Sequence, residues 1–151
     1  MRNILVASLI LFFLSCSSSK KSTQQGANSK KSSGATTLRD NQTFLLTEIS
    51  SDNTFGYSAK NPVEVGGADK KEGPLNERRF LNALAGPNGE EVNYYRQGSC
   101  CPVKSKNAFM GMAMLDHYRV SWEGSKDTVS IYINMYDYGQ LKAPVGFTIK
   151  D

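Results

Sequence analysis

The chain has 151 residues, of which 39% are hydrophobic, 21% charged and 10% aromatic, and its formal net charge is +4. That length holds one ordinary domain. It excludes a (β/α)₈ barrel enzyme, which needs about 250 residues.

Residues 1–15 read as a signal peptide. Arg2 precedes an apolar run, Ile4 to Leu14, interrupted only by Ala7 and Ser8. The run suits a leader core and is short for a membrane-crossing helix, which needs about 20 residues. Phe13-Leu14-Ser15-Cys16 follows. These four residues resemble the lipobox of bacterial lipoproteins, with Phe13 where Leu is usual. The resemblance implies a diacylglycerol on the Cys16 sulfur and cleavage that makes Cys16 the first residue of the mature chain. Two or more acyl chains, at about 0.8 kcal/mol per buried CH₂, attach a protein stably to a membrane. It also implies a cell-envelope location, at the outer membrane of a diderm bacterium. A plain secretory leader cut near Ser15 or Ser17, or an uncleaved anchor, is the alternative.

Residues 16–39 read as a disordered tether. They hold one large apolar residue, Leu38, too little to repay the entropy of ordering. A flexible coil of this length spans about 27 Å. The tether carries Lys20, Lys21, Lys30, Lys31 and Arg39 and no acid. Lysines near an anionic surface contribute about 1 kcal/mol each, and they also keep a spacer soluble. Residues 40–151 hold 12 basic and 14 acidic residues, so the domain itself is net −2. That argues against nucleic acid as a partner, because a binder carries its basic residues on the domain.

Residues 40–151 read as a single α+β domain. The expected architecture is a mainly antiparallel sheet of about six strands with one short helix packed on it. Thr43 to Ser50 has strand composition, and Asp52-Asn53 marks a turn. Val63 and Val65 alternate with Glu64, and Pro62 confines this segment to a strand start or an edge. The helix signal runs from Gly73-Pro74 to Gly86-Pro87: Pro74 suits the first position, Glu77 complements the positive end, and Phe80, Leu81 and Leu84 form the apolar stripe. Gly89 permits a turn, and Val92 to Gln97 is the next strand. Tyr118, Val120 and Trp122 share one face of a strand, as do Val129, Ile131, Ile133 and Met135 of the next. Glu123 to Asp127 joins the two as a hairpin loop. Val145 to Lys150 is the last strand expected.

The blocks Phe55 to Gly67, Gly73 to Glu90, Gly98-Ser99-Cys100-Cys101-Pro102 and Ile133 to Phe147 resemble a family of small uncharacterised envelope proteins of Bacteroidota. The resemblance covers about Thr54 to Thr148 and implies location and a coherent fold, with no mechanism. Some members carry an aldolase label, which implies a full barrel that this length excludes.

Cys100-Cys101 is the most unusual feature. An oxidising envelope favours a disulfide, yet adjacent Cα atoms sit about 3.8 Å apart, below the usual 4.4–6.8 Å. A vicinal disulfide in a turn, two buried thiols, an intermolecular bridge and a reactive thiol all remain open. His117, the single histidine, forms a Cys–His pair only if the fold brings it to Cys100 or Cys101, with Asp116 or Asp137 orienting the ring. On the strand it falls opposite Tyr118 and is expected to be solvated. Zinc is not expected, because one His beside adjacent cysteines lacks ligand spacing. Glu48, Asp52, Glu64 and Asp137 form a carboxylate pair only if they converge. Gly66-Gly67 lacks the Gly-Lys-Ser/Thr of a phosphate loop. The clusters Asn76 to Arg79 and Asn134 to Tyr138 form a ligand face if they meet Tyr94, Tyr95 and Arg96. Tyr94, Arg96, Tyr132 and Tyr136 are its candidate residues, and a solvated helix face with core aromatics is the bland alternative.

The sequence therefore favours a lipid-anchored envelope protein. Its domain is expected to be a non-catalytic binding or structural module for another envelope component, without a cofactor. A thiol-dependent enzyme or redox module using Cys100, Cys101 and His117 is the alternative. A third expectation is a small-ligand binder with a pocket walled by Tyr and Trp.

Overall fold

The computed structural model describes residues 36–151. The leader, the lipidation position Cys16 and the tether up to residue 35 lie outside the described residues. Eight strands and one α-helix follow in the order β1 (Leu38–Asp40), β2 (Thr43–Phe44), β3 (Val63–Glu64), α1 (Gly73–Leu81), β4 (Leu84–Ala85), β5 (Val92–Lys104), β6 (Met112–Trp122), β7 (Val129–Asn134) and β8 (Thr148–Ile149). Mostly strands with one helix, the domain is α+β.

The expected six-stranded sheet is corrected. The main sheet has four strands in the order β3-β7-β6-β5, while β1-β2 and β4-β8 form two separate ribbons. The sheet is also mixed. β5, β6 and β7 are antiparallel neighbours, but β3 runs parallel to β7, Val63 facing Ile133. Pro62 thus precedes an edge strand, where its missing N–H costs no ladder bond.

Alternation builds the centre of the sheet. Tyr118, Val120, Ile131 and Ile133 are buried on one face, against Val63, Val65, Phe80, Leu81 and Phe147. α1 starts with Pro74 in its first turn and ends at Leu81, one turn before the expected stop. Leu84 and Ala85 leave the helix to pair with Ile149 and Thr148, and all of Ala83 to Ala85 is buried. A tertiary pairing has overridden helix propensity there. Thr43 to Ser50 is strand only at Thr43–Phe44, and beyond it a single bridge links Ile49 to Ala143.

β5 does not stop at Gln97. It runs through the cysteine pair and Pro102 to Lys104 as the sheet's edge, pairing with β6 from Val92↔Trp122 to Lys104↔Met112. Two register shifts, at Arg96/Gly98 and Cys100/Pro102, absorb Gln97 and Cys101 as extra residues. β7 pairs with β6 only over Asp116 to Val120, so the hairpin extends past the sheet as a two-stranded arm. Among the described residues no helix is long and apolar enough to cross a membrane.

Candidate functional site

The site forms where α1 lies on the base of the β5–β6 hairpin. Asn76, Glu77, Phe80 and Leu81 face the sheet, at the i, i+1, i+4, i+5 spacing of one helical stripe. Asn76 donates from Nδ2 to the Gly66 carbonyl at 3.2 Å and accepts from Arg79 at 2.9 Å. Gly66 and Gly67 have φ of 63° and 101°, and a Cβ at either would strike Tyr138 or Asn76. Their role here is close approach and turning.

Glu77 is fully buried, which corrects its expected place on a solvated helix face. Its Oε2 accepts a hydrogen bond from the Tyr118 hydroxyl at 2.9 Å, and its Oε1 has no partner among the described residues. Burial, then the negative charge of Asp116, pushes the Glu77 carboxyl up to about 8. At neutral pH it is therefore mostly protonated. The proton removes the charge of a carboxyl whose Oε1 is buried without a partner and which the nearby Asp116 carboxylate repels. Burial pushes Asp116 up, but Arg96 and Ser99 outweigh it and hold its carboxyl below the usual value. Arg96 donates from Nε and Nη2 to the two Asp116 oxygens, at 2.7 Å each, and Ser99 Oγ adds a bond of 2.9 Å. The Tyr118 phenol is raised well above its ordinary value by burial and by Glu77. The network is an acid, a carboxylate and a guanidinium in a row, beneath a helix.

Over it opens a pocket of about 430 Å³. Pro74, Tyr94, Tyr95 and Met135 give apolar and aromatic walls, Asp116 and Tyr118 reach its floor, and Arg78 and Arg96 supply positive charge. Tyr94 is fixed by a hydrogen bond to Asn82 Oδ1 at 2.7 Å and by edge-to-face packing on Tyr118 at 6.1 Å. Arg78 is exposed, and its guanidinium makes no hydrogen bond or ion pair among the described residues. With Glu77 neutral, Asp116 offsets one arginine and one positive charge remains. Both oxygens of Asp116 are already occupied, so the arrangement suits holding a ligand better than moving a proton.

Of the four expected binding-face residues, the structure brings together Tyr94 and Arg96, with Tyr95 and Arg78. Tyr132 is corrected to the other face of the sheet. It pairs across from His117, whereas Ile131 pairs with Tyr118 on the core face. Tyr136 is also displaced from the face. β7 ends at Asn134, whose Oδ1 accepts from the Tyr136 and Asp137 N–H groups, and that turn breaks the alternation.

Cys100 and Cys101 are joined in a vicinal disulfide within the second register shift, where Cys101 has φ of 54°. His117 does not meet them. Its Nε2 pairs with Ser130 Oγ at 2.9 Å and its ring stacks on Tyr132 with centroids 4.8 Å apart, so it is half-buried rather than solvated. Burial, then Arg119, lowers its pKa. Neither expected orienting acid serves the ring: Asp116 faces Arg96, and Asp137 accepts from Ser105, Asn107 and Asn134. The Cys–His constellation is therefore not assembled. Glu48 pairs with Lys142 and Asp52 caps Thr54, so these acids and Asp137 serve separate contacts. Among the described residues no group of three or more His, Cys, Asp or Glu is placed to hold a metal.

Glu77, Asp116 and Tyr118 form the centre of the site without having been marked as such by sequence. A signal existed: Glu77 lies three and four residues before Phe80 and Leu81, on the apolar stripe. Its proximity to the helix start gave a sufficient competing explanation.

No family model, curated protein or solved structure matches the chain.

Proposed function

We propose that the protein is a lipid-anchored envelope protein whose domain is a non-catalytic binding module. Its ligand is an anionic group on an aromatic or apolar body, carried by another envelope component. One observation carries the binding reading: the unpaired Arg78 stands beside Arg96 and the Tyr94 and Tyr95 rings, above a carboxyl kept neutral by burial. A guanidinium fork matches a carboxylate or phosphate, and tyrosines supply contact area at little entropic cost. The anchor reading rests on the lipobox-like residues ending at Cys16.

Calorimetry of the full chain with phenyl phosphate tests the pocket. Binding that weakens at least about tenfold in R78A supports it, since a charged hydrogen bond contributes about 1.5–3 kcal/mol. Binding unchanged in R78A and Y94A, or none at millimolar concentration, rejects it. The mass of the native N-terminal peptide tests the anchor: it should show a diacylglyceryl group on Cys16.

A further inference from the structure

The loop joining β5 to β6 carries the most exposed of the large apolar side chains of the described domain. Phe109 is 87% exposed and Met110 84%, and Met112 and Met114 on the adjoining strand are about half exposed. The loop is held, not loose. Ser105 N–H donates to the Gly111 carbonyl at 3.0 Å, and Ser105 Oγ and Asn107 Nδ2 both donate to Asp137 Oδ1 at 2.8 Å. Met110 takes a left-handed conformation, φ 57°, followed by Gly111 at 75°. A left-handed non-glycine residue costs stability, and so does an apolar tip in water, so the fold alone does not account for this loop. Lys104 and Lys106 flank the tip, exposed, and neither makes an ion pair or side-chain hydrogen bond among the described residues. The one acid in the loop's contacts, Asp137, turns its oxygens to Ser105, Asn107 and Asn134.

We infer that this tip is a docking site for an anionic phospholipid surface. Phe109 and Met110 enter the interfacial layer and Lys104 and Lys106 meet the headgroups. An aromatic and a methionine at an exposed apex, with two unpaired lysines nearby in the chain, match that layer in polarity and in charge. A protein partner would be expected to meet a groove or flat face rather than a spike. The inference depends neither on the pocket nor on the lipid at Cys16.

The test places a tryptophan at the tip of the full chain, F109W, on vesicles of phosphatidylglycerol and phosphatidylcholine with brominated acyl chains. Wild type, whose single Trp122 sits at the opposite end of β6, is the blank. The added tryptophan should shift to the blue and be quenched on anionic vesicles. In F109W/K104Q/K106Q the inserted population should fall roughly 30-fold, about a factor of five per lysine at an anionic surface. Circular dichroism confirms that each variant is folded. A tryptophan left unquenched while the chain floats with the vesicles overturns the inference, because another part of the chain would then hold the membrane. Equal quenching on pure phosphatidylcholine overturns it too, because the lysines would then play no part.

Discussion

The base and the arm of the β5–β6 hairpin invert the usual rule in opposite directions. At the base, where β7 and α1 also pack, the hairpin buries polar groups: Glu77, Asp116 and the Tyr118 hydroxyl lie inside. Along the arm, β6 loses its β7 neighbour and leaves Met112 and Met114 outside, with Phe109 and Met110 at the tip. A buried polar group is tolerated only when partnered, and the base partners nearly all of its own. An exposed apolar group is tolerated individually and carries meaning when several are contiguous. The base is thus where stability depends on protons, and the apolar tip of the arm is where stability should be least sensitive to substitution.

The largest expected effect follows from Glu77. Its folded pKa, about 8, lies above the ordinary 4.5, so the folded state holds the proton more tightly than the unfolded chain. Its contribution is present in full below the ordinary value and is lost as pH rises towards 8. The slope is about 1.4 kcal/mol per pH unit, roughly 4–5 kcal/mol in all. Asp116, held below its ordinary value, acts oppositely: its contribution is present above that value and lost as pH falls through the folded one. Urea unfolding across pH 5 to 9 should show the decline in wild type and lose it in E77Q, which mimics the protonated acid.

Arg96→Ala should cost about 2–3 kcal/mol at neutral pH, because it leaves the buried Asp116 carboxylate with Ser99 Oγ as its remaining side-chain partner. Arg96→Lys should recover part of that loss, since an ammonium cannot bridge both oxygens. On the arm the effects shrink. C100S/C101S, or reductant, should change stability by less than about 1 kcal/mol, because a link between adjacent residues closes almost no chain loop. Iodoacetamide should label neither cysteine before reduction. Phe109→Ser should fall within about 0.5 kcal/mol of wild type. A large loss there would show that the tip packs on something in the isolated chain.

Elements with a local cause were legible in the sequence. Pro74 announced the helix, and alternation in His117 to Trp122 and Val129 to Ile133 announced the central hairpin with its 123–127 loop. The two-residue strands β2, β4 and β8 were not, because distant partners set them: Leu84 is a strand residue only because Ile149 lies beside it. A turn was one expectation for the cysteine pair, whereas bulges let β5 continue through both residues. Tyr94 and Arg96 were singled out from their chemistry, and the structure brings them to one pocket. Glu77 and Asp116 were not, since burial of an acid depends on a tertiary contact across 39 residues of chain.

The most direct test is a carbon-13 carboxyl titration of the full chain by NMR, with the Glu77 signal assigned by its absence in E77Q. A midpoint near 8 is expected, with Glu77 protonated beneath the pocket at neutral pH. A midpoint near the ordinary 4.5 would mean that the pocket floor carries two negative charges, and an anionic ligand would have no reason to settle there.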